Sequence, residues 1–212
     1  MKILLSENDI RRMVMEVISE LLTEIEVSDP VEGERVNMFV GRFQPFTLGH
    51  LECLAAVKRQ KGIRTFILTS MGNGKPEKPI MGDLQMEMLN RIKEAHSDII
   101  AGIDFGRGAD ICANVAKIRR EYGMEPVSWI TGSDHEAAYT NMVNRYGQQS
   151  NLNRDFDMII LNRDPDSEGV AGISATRVRQ AIIDGNEKEF DRMMPDELHN
   201  LFGDFRSVLI GQ

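Results

Sequence analysis

Val36-Asn37-Met38-Phe39-Val40-Gly41-Arg42-Phe43-Gln44-Pro45-Phe46-Thr47-Leu48-Gly49-His50 is the stretch whose reading decides the fold. Its first five residues form a short apolar run that stops at Gly41, as a buried parallel strand does. A helix suits residues 48–61, closed by Gly62. Gly41 gives the chain freedom to turn sharply as it leaves the strand. Thr47, Gly49 and His50 fall at the helix opening, where free backbone N–H groups and the helix dipole attract anions. Gly49 has no side chain to keep a phosphate or a base off the backbone. The Thr47 hydroxyl and the His50 imidazole, three residues apart, can point at one phosphate. Arg42 adds a planar, bidentate anion ligand. Taken singly, a threonine or histidine at a helix start is an ordinary cap or surface residue. Together, directly after a strand, the set is specific for a phosphorylated ligand.

Outward from this stretch the pattern alternates. Strands are expected at 64–69, 99–105, 127–131 and 156–161, and helices at 83–96, 110–122, 136–146 and from 174 onward. A Gly/Pro/Lys-rich loop, MGNGKPEKPIMG, covers 71–82 and carries Lys75 and Lys78. Strands alternating with helices predict an α/β domain over 36–212 with a doubly wound parallel sheet. Ligands bind such sheets at the carboxyl ends of the strands, near the point where the strand order reverses.

A second cluster sits late in the chain, Gly172-Ile173-Ser174-Ala175-Thr176-Arg177-Val178-Arg179. Ser174 is a natural N-cap, so this is another helix N-terminus presenting N–H groups. Thr176 and Arg179 share one helical face and can grip the same phosphate tail, while Arg177 points elsewhere. Alone, the cluster is a capped surface helix with solvated arginines. Paired with the first, it is the other half of a polyphosphate site.

GRFQPFTLGH resembles the signature of the nucleotidyltransferase superfamily with the (H/T)xGH motif, and ISATRVR resembles that superfamily's ISxTxxR motif. The GRFQP form is similar to nicotinamide mononucleotide adenylyltransferases of the archaeal type, as is the tail ISATRVRQAIIDGNEKEFDRMMPDELHNLF. The resemblance covers roughly residues 37–207. It implies a Rossmann-like sheet of nucleotidyltransferase type and transfer of AMP from ATP to nicotinamide mononucleotide, giving NAD and pyrophosphate. His50, Thr47 and Arg179 are then the catalytic residues. Gly41, Arg42, Phe43, Gln44, Gly49, Ser174 and Thr176 bind ATP. The implied cofactor is Mg²⁺ carried with the nucleotide, and no carboxylate cage for it is visible. Where relatives often have histidine this chain has Thr47, and where they carry a Glu-Arg pair before a Met-Leu step it has Leu84-Gln85.

The acceptor side is expected at Trp129, Gly132, Asp134 and Tyr139, around the end of the fourth strand, with Lys78 from the loop. Gly132 and Asp134 offer polar groups for a ribose; Trp129 and Tyr139 offer faces for a flat ring. The competing readings place Trp129 in the core and make Ser133 or Asp134 a helix cap. Other phosphorylated acceptors, CTP as donor, a nucleotide-binding regulator and an assembly protein are the alternatives, and the intact phosphate set argues against the last two.

Of the 212 residues, 42% are hydrophobic and 27% charged, the balance of a globular chain. No apolar run approaches the roughly 18 residues of a spanning helix. The formal charge of −8 weighs against nucleic-acid or anionic-membrane binding, so a polyanion must meet a local basic pocket. Cys53 and Cys112 fit neither metal spacing nor a disulfide framework. The opening MKILLSENDIRRM becomes charged too early for a secretory signal, and a reducing cytosol is expected. Residues 1–29 read as an amphipathic helix followed by the start of a linker. Ile10, Val14, Val17, Leu21 and Ile25 line one face, and Arg11, Arg12, Glu16, Glu20 and Glu24 the other. It either packs on the domain or a symmetry mate, within an expected homo-oligomer, or docks a protein partner. Its Leu22-Thr23-Glu24 resembles the sites cut by prohead proteases of tailed phages, which extends the expected location to the cytosol of an infected bacterium.

Overall fold

The computed structural model describes residues 28–152, 154–161 and 172–211; the expected N-terminal helix falls outside them. Five strands form one sheet: β1 (Arg35–Gly41), β2 (Thr65–Thr69), β3 (Ile100–Phe105), β4 (Glu125–Gly132) and β5 (Asp157–Leu161). All pair in parallel, in the order β3-β2-β1-β4-β5. The chain winds outward from β1 to β3, then crosses back to β4 on the other side of β1. The strand order reverses between β1 and β4, which opens a crevice at their carboxyl ends.

Helices α1 (Leu48–Lys61), α2 (Gly82–Ala95), α3 (Ile111–Tyr122), α4 (Glu136–Tyr146), α5 (Ala175–Ile183), α6 (Glu187–Met193) and α7 (Phe202–Ile210) cover both faces. Because successive strand residues point to opposite sides, each strand feeds two cores. Phe39, Ile67 and Ile130 pack with α1, α2 and α5, beside Leu54, Met88 and Ile182. Met38, Phe66, Leu68 and Trp129 pack with α3 and α4, beside Val115, Ile118 and Met142.

The helix ends follow local chemistry. Asp110 caps α3 by accepting the Ala113 N–H, and Ser174 caps α5 by accepting that of Arg177. Gly62 closes α1 in the left-handed region at φ 71°, its N–H bonded to Lys58 O at 2.8 Å.

Three expectations change. The fourth strand starts at Glu125 rather than 127, so Pro126 lies inside it. The register shifts between Val36 and Asn37, opposite Pro126, and an irregularity of this kind accommodates a residue with no N–H to give. The end of the expected linker is pinned down. Val31 N–H donates to Glu125 Oε2, Arg119 Nη1 to Ser28 O, and Asn151 Nδ2 to Asp29 Oδ1. The sharp turn after β1 is taken by Phe43, at φ 47°, and Gly41 is not left-handed. What Gly41 supplies is room. A Cβ there would stand 2.7 Å from Phe43 Cζ.

Candidate functional site

The two motifs, 135 residues apart, meet at the carboxyl edge of the sheet. Arg179 Nη1 donates to the carbonyl of Gln44 at 2.6 Å, joining α5 to the turn that precedes α1. Its Nη2 donates to Thr176 Oγ1 at 3.1 Å, as one helical face requires. Arg177 turns away to Glu189 at 2.7 Å. Burial, and after it the charge of nearby Arg42, push the Arg179 guanidinium below its ordinary range. Arg179 donates to two uncharged oxygens, those of Gln44 and Thr176, and its neighbour Arg42 is exposed. Two guanidiniums thus share a space beside two helix N-termini, and an arginine does not give up its proton to relieve such a pair. A polyanion relieves it.

His50 stands at the opening of α1. Its ring packs against two phenyl rings that also touch each other, Phe43, edge-on at 5.2 Å, and Phe46, tilted at 5.4 Å. Thr47 caps α1 in a capping box with His50. The Thr47 N–H donates to His50 Nδ1 at 3.0 Å, the Thr47 hydroxyl lies 3.0 Å from the same nitrogen, and His50 N–H approaches Thr47 Oγ1 at 3.4 Å. Thr47 is fully buried. Its hydroxyl therefore serves His50 and the helix end rather than pointing beside His50 at a phosphate, as its spacing had suggested.

Phe43 and Gln44, expected against ATP, are also buried and have other tasks. Phe43 fills the space over Gly41 and supports His50. Gln44 reads both backbone groups of Ile80: its Oε1 accepts the N–H at 2.7 Å and its Nε2 donates to the carbonyl at 3.0 Å. Gln85, noted in the sequence only as a departure from relatives, fastens the start of the same loop. It accepts from Gly72 N–H at 2.8 Å and donates to Ser70 O at 3.0 Å. Two buried glutamines therefore hold the segment 70–81 at its two ends. Lys75 and Lys78 lie in the turn between. Gly49 is buried in the first turn of α1, while Ser174 and Thr176 are exposed at the mouth of α5.

On the acceptor side, Gly132 ends β4 beside Leu161 of β5, and Asp134 lies in a 3₁₀ turn, Ser133–His135. Trp129 is fully buried and stacks on Tyr139 at 4.4 Å, so the structure places it in the core rather than against a ligand. Tyr139 is half-buried and also stacks on His135 at 5.5 Å. Three rings run from core to surface, ending at His135, which the sequence did not single out. Among the described residues no group of three or more His, Cys, Asp or Glu side chains stands ready to hold a metal ion, and no helix is long and apolar enough to cross a membrane.

A family model described as cytidylyltransferase-like matches residues 38–181. The fold is similar to that of Plasmodium falciparum nicotinic acid mononucleotide adenylyltransferase complexed with NaAD, at 13% identity and a TM-score of 0.52 over 81% of this chain and 98% of that one. It is also similar to a Vibrio parahaemolyticus protein described as a nicotinate-nucleotide adenylyltransferase, at 10% identity and a TM-score of 0.53 over 82% and 94% of the two chains. No curated protein matches.

Proposed function

This chain belongs to the cytidylyltransferase-like family, and we propose that within it the site transfers AMP from ATP to nicotinamide mononucleotide, giving NAD and pyrophosphate. The observation that carries the reading is the 2.6 Å bond from Arg179 to Gln44 O, which places the arginine of one motif over the turn of the other. A triphosphate lying across α1 and α5 meets His50 at one end and Arg42 and Arg179 at the other.

The chemistry needs no covalent intermediate. An oxygen of the acceptor's phosphate attacks the α-phosphorus of ATP. As that P–O bond forms, the bond to the bridging oxygen breaks and pyrophosphate leaves. Catalysis is alignment plus stabilisation of the charge that grows on the α-phosphate oxygens. His50 donates a hydrogen bond to one of them. Arg42, Arg179 and the N–H groups of α5 hold the β- and γ-phosphates, and Ser174 and Thr176 border them. Gly49 lets the nucleotide approach the backbone of α1. The residues at the phosphate site are cationic and do not compose a cage for a divalent ion, so Mg²⁺ would have to arrive with the nucleotide, where it would supply charge neutralisation.

The acceptor occupies the edge formed by Gly132, Asp134 and the outer part of the Tyr139 stack, with the loop of Lys75 and Lys78 opposite. Nicotinic acid mononucleotide, the acceptor named for the Plasmodium protein, differs from nicotinamide mononucleotide by a carboxylate and is the direct competitor. Incubation with ATP, Mg²⁺ and equal amounts of each acceptor, alongside phosphopantetheine and a sugar phosphate, decides by mass spectrometry. NAD is the expected major product. Product from phosphopantetheine or the sugar phosphate, with none from either pyridine nucleotide, overturns the acceptor assignment.

A further inference from the structure

The capping box at the start of α1 fixes more than a helix end. A backbone amide can only donate, so the 3.0 Å bond from Thr47 N–H to His50 Nδ1 requires a lone pair on that nitrogen. A neutral imidazole has one lone-pair nitrogen and one N–H, so the proton must sit on Nε2. The Thr47 hydroxyl can support the same choice: its oxygen accepts the His50 backbone N–H at 3.4 Å, and its proton can turn to the Nδ1 atom 3.0 Å away. Two donors from one residue converge on one lone pair. The alternative tautomer sets the ring N–H against the amide N–H, in a place where Thr47 is fully buried and no water can intervene. The Phe43 and Phe46 rings, packed against the imidazole and against each other, hinder it from turning to escape.

We propose that Thr47 is a positioning residue that locks His50 in its Nε2–H tautomer, so that the nitrogen turned away from the cap is a hydrogen-bond donor. A histidine meant to stabilise phosphate oxygens must donate, and which nitrogen carries the proton is set by the bond the other one makes. Left to itself, a ring with the wrong tautomer presents a lone pair to an anion and repels it. Thr47 thereby acts on the phosphate through His50, without touching it. The catalytic use of this donor rests on the nucleotidyl-transfer reading; the tautomer does not.

The test reads tautomer and turnover separately. The full chain, labelled with ¹⁵N in its four histidines, is observed by long-range proton–nitrogen NMR, and His50 is assigned by the signal lost in His50→Gln. The expected spectrum shows an unprotonated Nδ1 and a protonated Nε2 at neutral pH. A His50 that carries its proton on Nδ1, or on both nitrogens, overturns the proposal whatever the enzyme does. Thr47→Val, which keeps the shape and the amide donor but removes the hydroxyl, weakens the lock without abolishing it: a minor population of the second tautomer is expected beside the first, with kcat lowered by up to about tenfold, the worth of one hydrogen bond, and little change in KM for ATP; Thr47→Ser restores both. A direct phosphate ligand gives the opposite split: KM for ATP rises in Thr47→Val while the His50 signals stay as in the wild type. That outcome also overturns the proposal. If Thr47→Val does not fold, the wild-type spectrum decides alone. If no acceptor is adenylylated by the wild type, the functional reading fails while the spectrum still judges the tautomer.

Discussion

Gln44→Leu separates the loop from the rest of the site, and the structure sets the size of the effect. The wild-type side chain makes two hydrogen bonds to Ile80, at 2.7 and 3.0 Å, and Gln44 is 2% and Ile80 0% exposed. Leucine fills much of the volume and makes neither bond. It leaves the Ile80 N–H and carbonyl without partners, at a cost of about 1–3 kcal/mol each, or about 2–6 kcal/mol together. Global stability is typically ~5–15 kcal/mol. Both bonds hold the segment 70–81, not the sheet, so the loss falls on local opening of that segment. Even the lower bound raises its open population roughly 30-fold, since each 1.4 kcal/mol is about a factor of ten. Hydrogen exchange read by mass spectrometry should show faster exchange in 70–81, including the amide of Ile80, with β2 and β4 unchanged. Because the loop carries Lys75 and Lys78, KM for the acceptor should rise more than KM for ATP. An unchanged Ile80 amide refutes the brace. An acceleration spread evenly over the whole chain refutes its local character.

Other perturbations address the pole of the sheet away from the site, the phosphate site and acid stability. Arg119→Met should destabilise the fold by about 3–5 kcal/mol in urea titration, because it takes the arginine away from the buried Glu125 carboxylate and a donor away from the carbonyls of Ser28, Ser150 and Asn151; a loss below about 1 kcal/mol contradicts the ion pair as a structural knot. Arg179→Ala should weaken ATP binding by calorimetry and slow turnover together, by about 1.5–3 kcal/mol in binding, the usual worth of a hydrogen bond to a charged group. Unchanged affinity removes Arg179 from the site. The hydrogen bonds from Arg64, and behind them its charge, hold the Glu34 carboxyl below the ordinary 4.5. A depressed carboxylate stabilises the fold above its unfolded pKa and loses that contribution as pH falls through the folded one. Acid denaturation curves of wild type and Glu34→Gln should therefore differ at neutral pH and converge below about pH 4.5; a gap that widens in acid contradicts the sign. The pair is partly exposed, so the gap is small.

The sheet was legible because its strands are short apolar runs separated by capped helices. Residues 36–40 announce β1, the helical pattern over 110–122 announces α3, and the Ser174 cap announces α5, each at nearly the observed position. Pro126 hid the first part of β4, since a proline argues against a central strand unless the register shifts, and no sequence pattern records that shift. The meeting of the two helix openings at one sheet edge was legible, and so was the divergence of Arg177 from Arg179, because helical spacing decides it. The tasks of Gln44 and Gln85 were not. Their partners are backbone atoms of Ile80, Gly72 and Ser70, which any residue supplies, so nothing in the sequence marks them. Trp129 was open to a better reading. It shares a sheet face with Met38 and Met158, its register partners, and that parity assigns it to the α3/α4 core. Arg119 escaped because a helical arginine normally faces water, and only the fold brings Glu125 and three carbonyls around it.

In the proposed reaction ATP and a mononucleotide meet across the two helix N-termini with His50 as the donor to the reacting phosphate. ³¹P NMR of wild type and His50→Ala with ATP, Mg²⁺ and nicotinamide mononucleotide, with thermal melts of both proteins, tests this. Pyrophosphate and NAD are expected in equal amounts with the wild type. His50→Ala, with an unchanged melt, is expected to make them roughly 10²–10³-fold more slowly, the usual effect of losing one such donor. Orthophosphate released in place of pyrophosphate, or a folded His50→Ala that turns over at the wild-type rate, contradicts it.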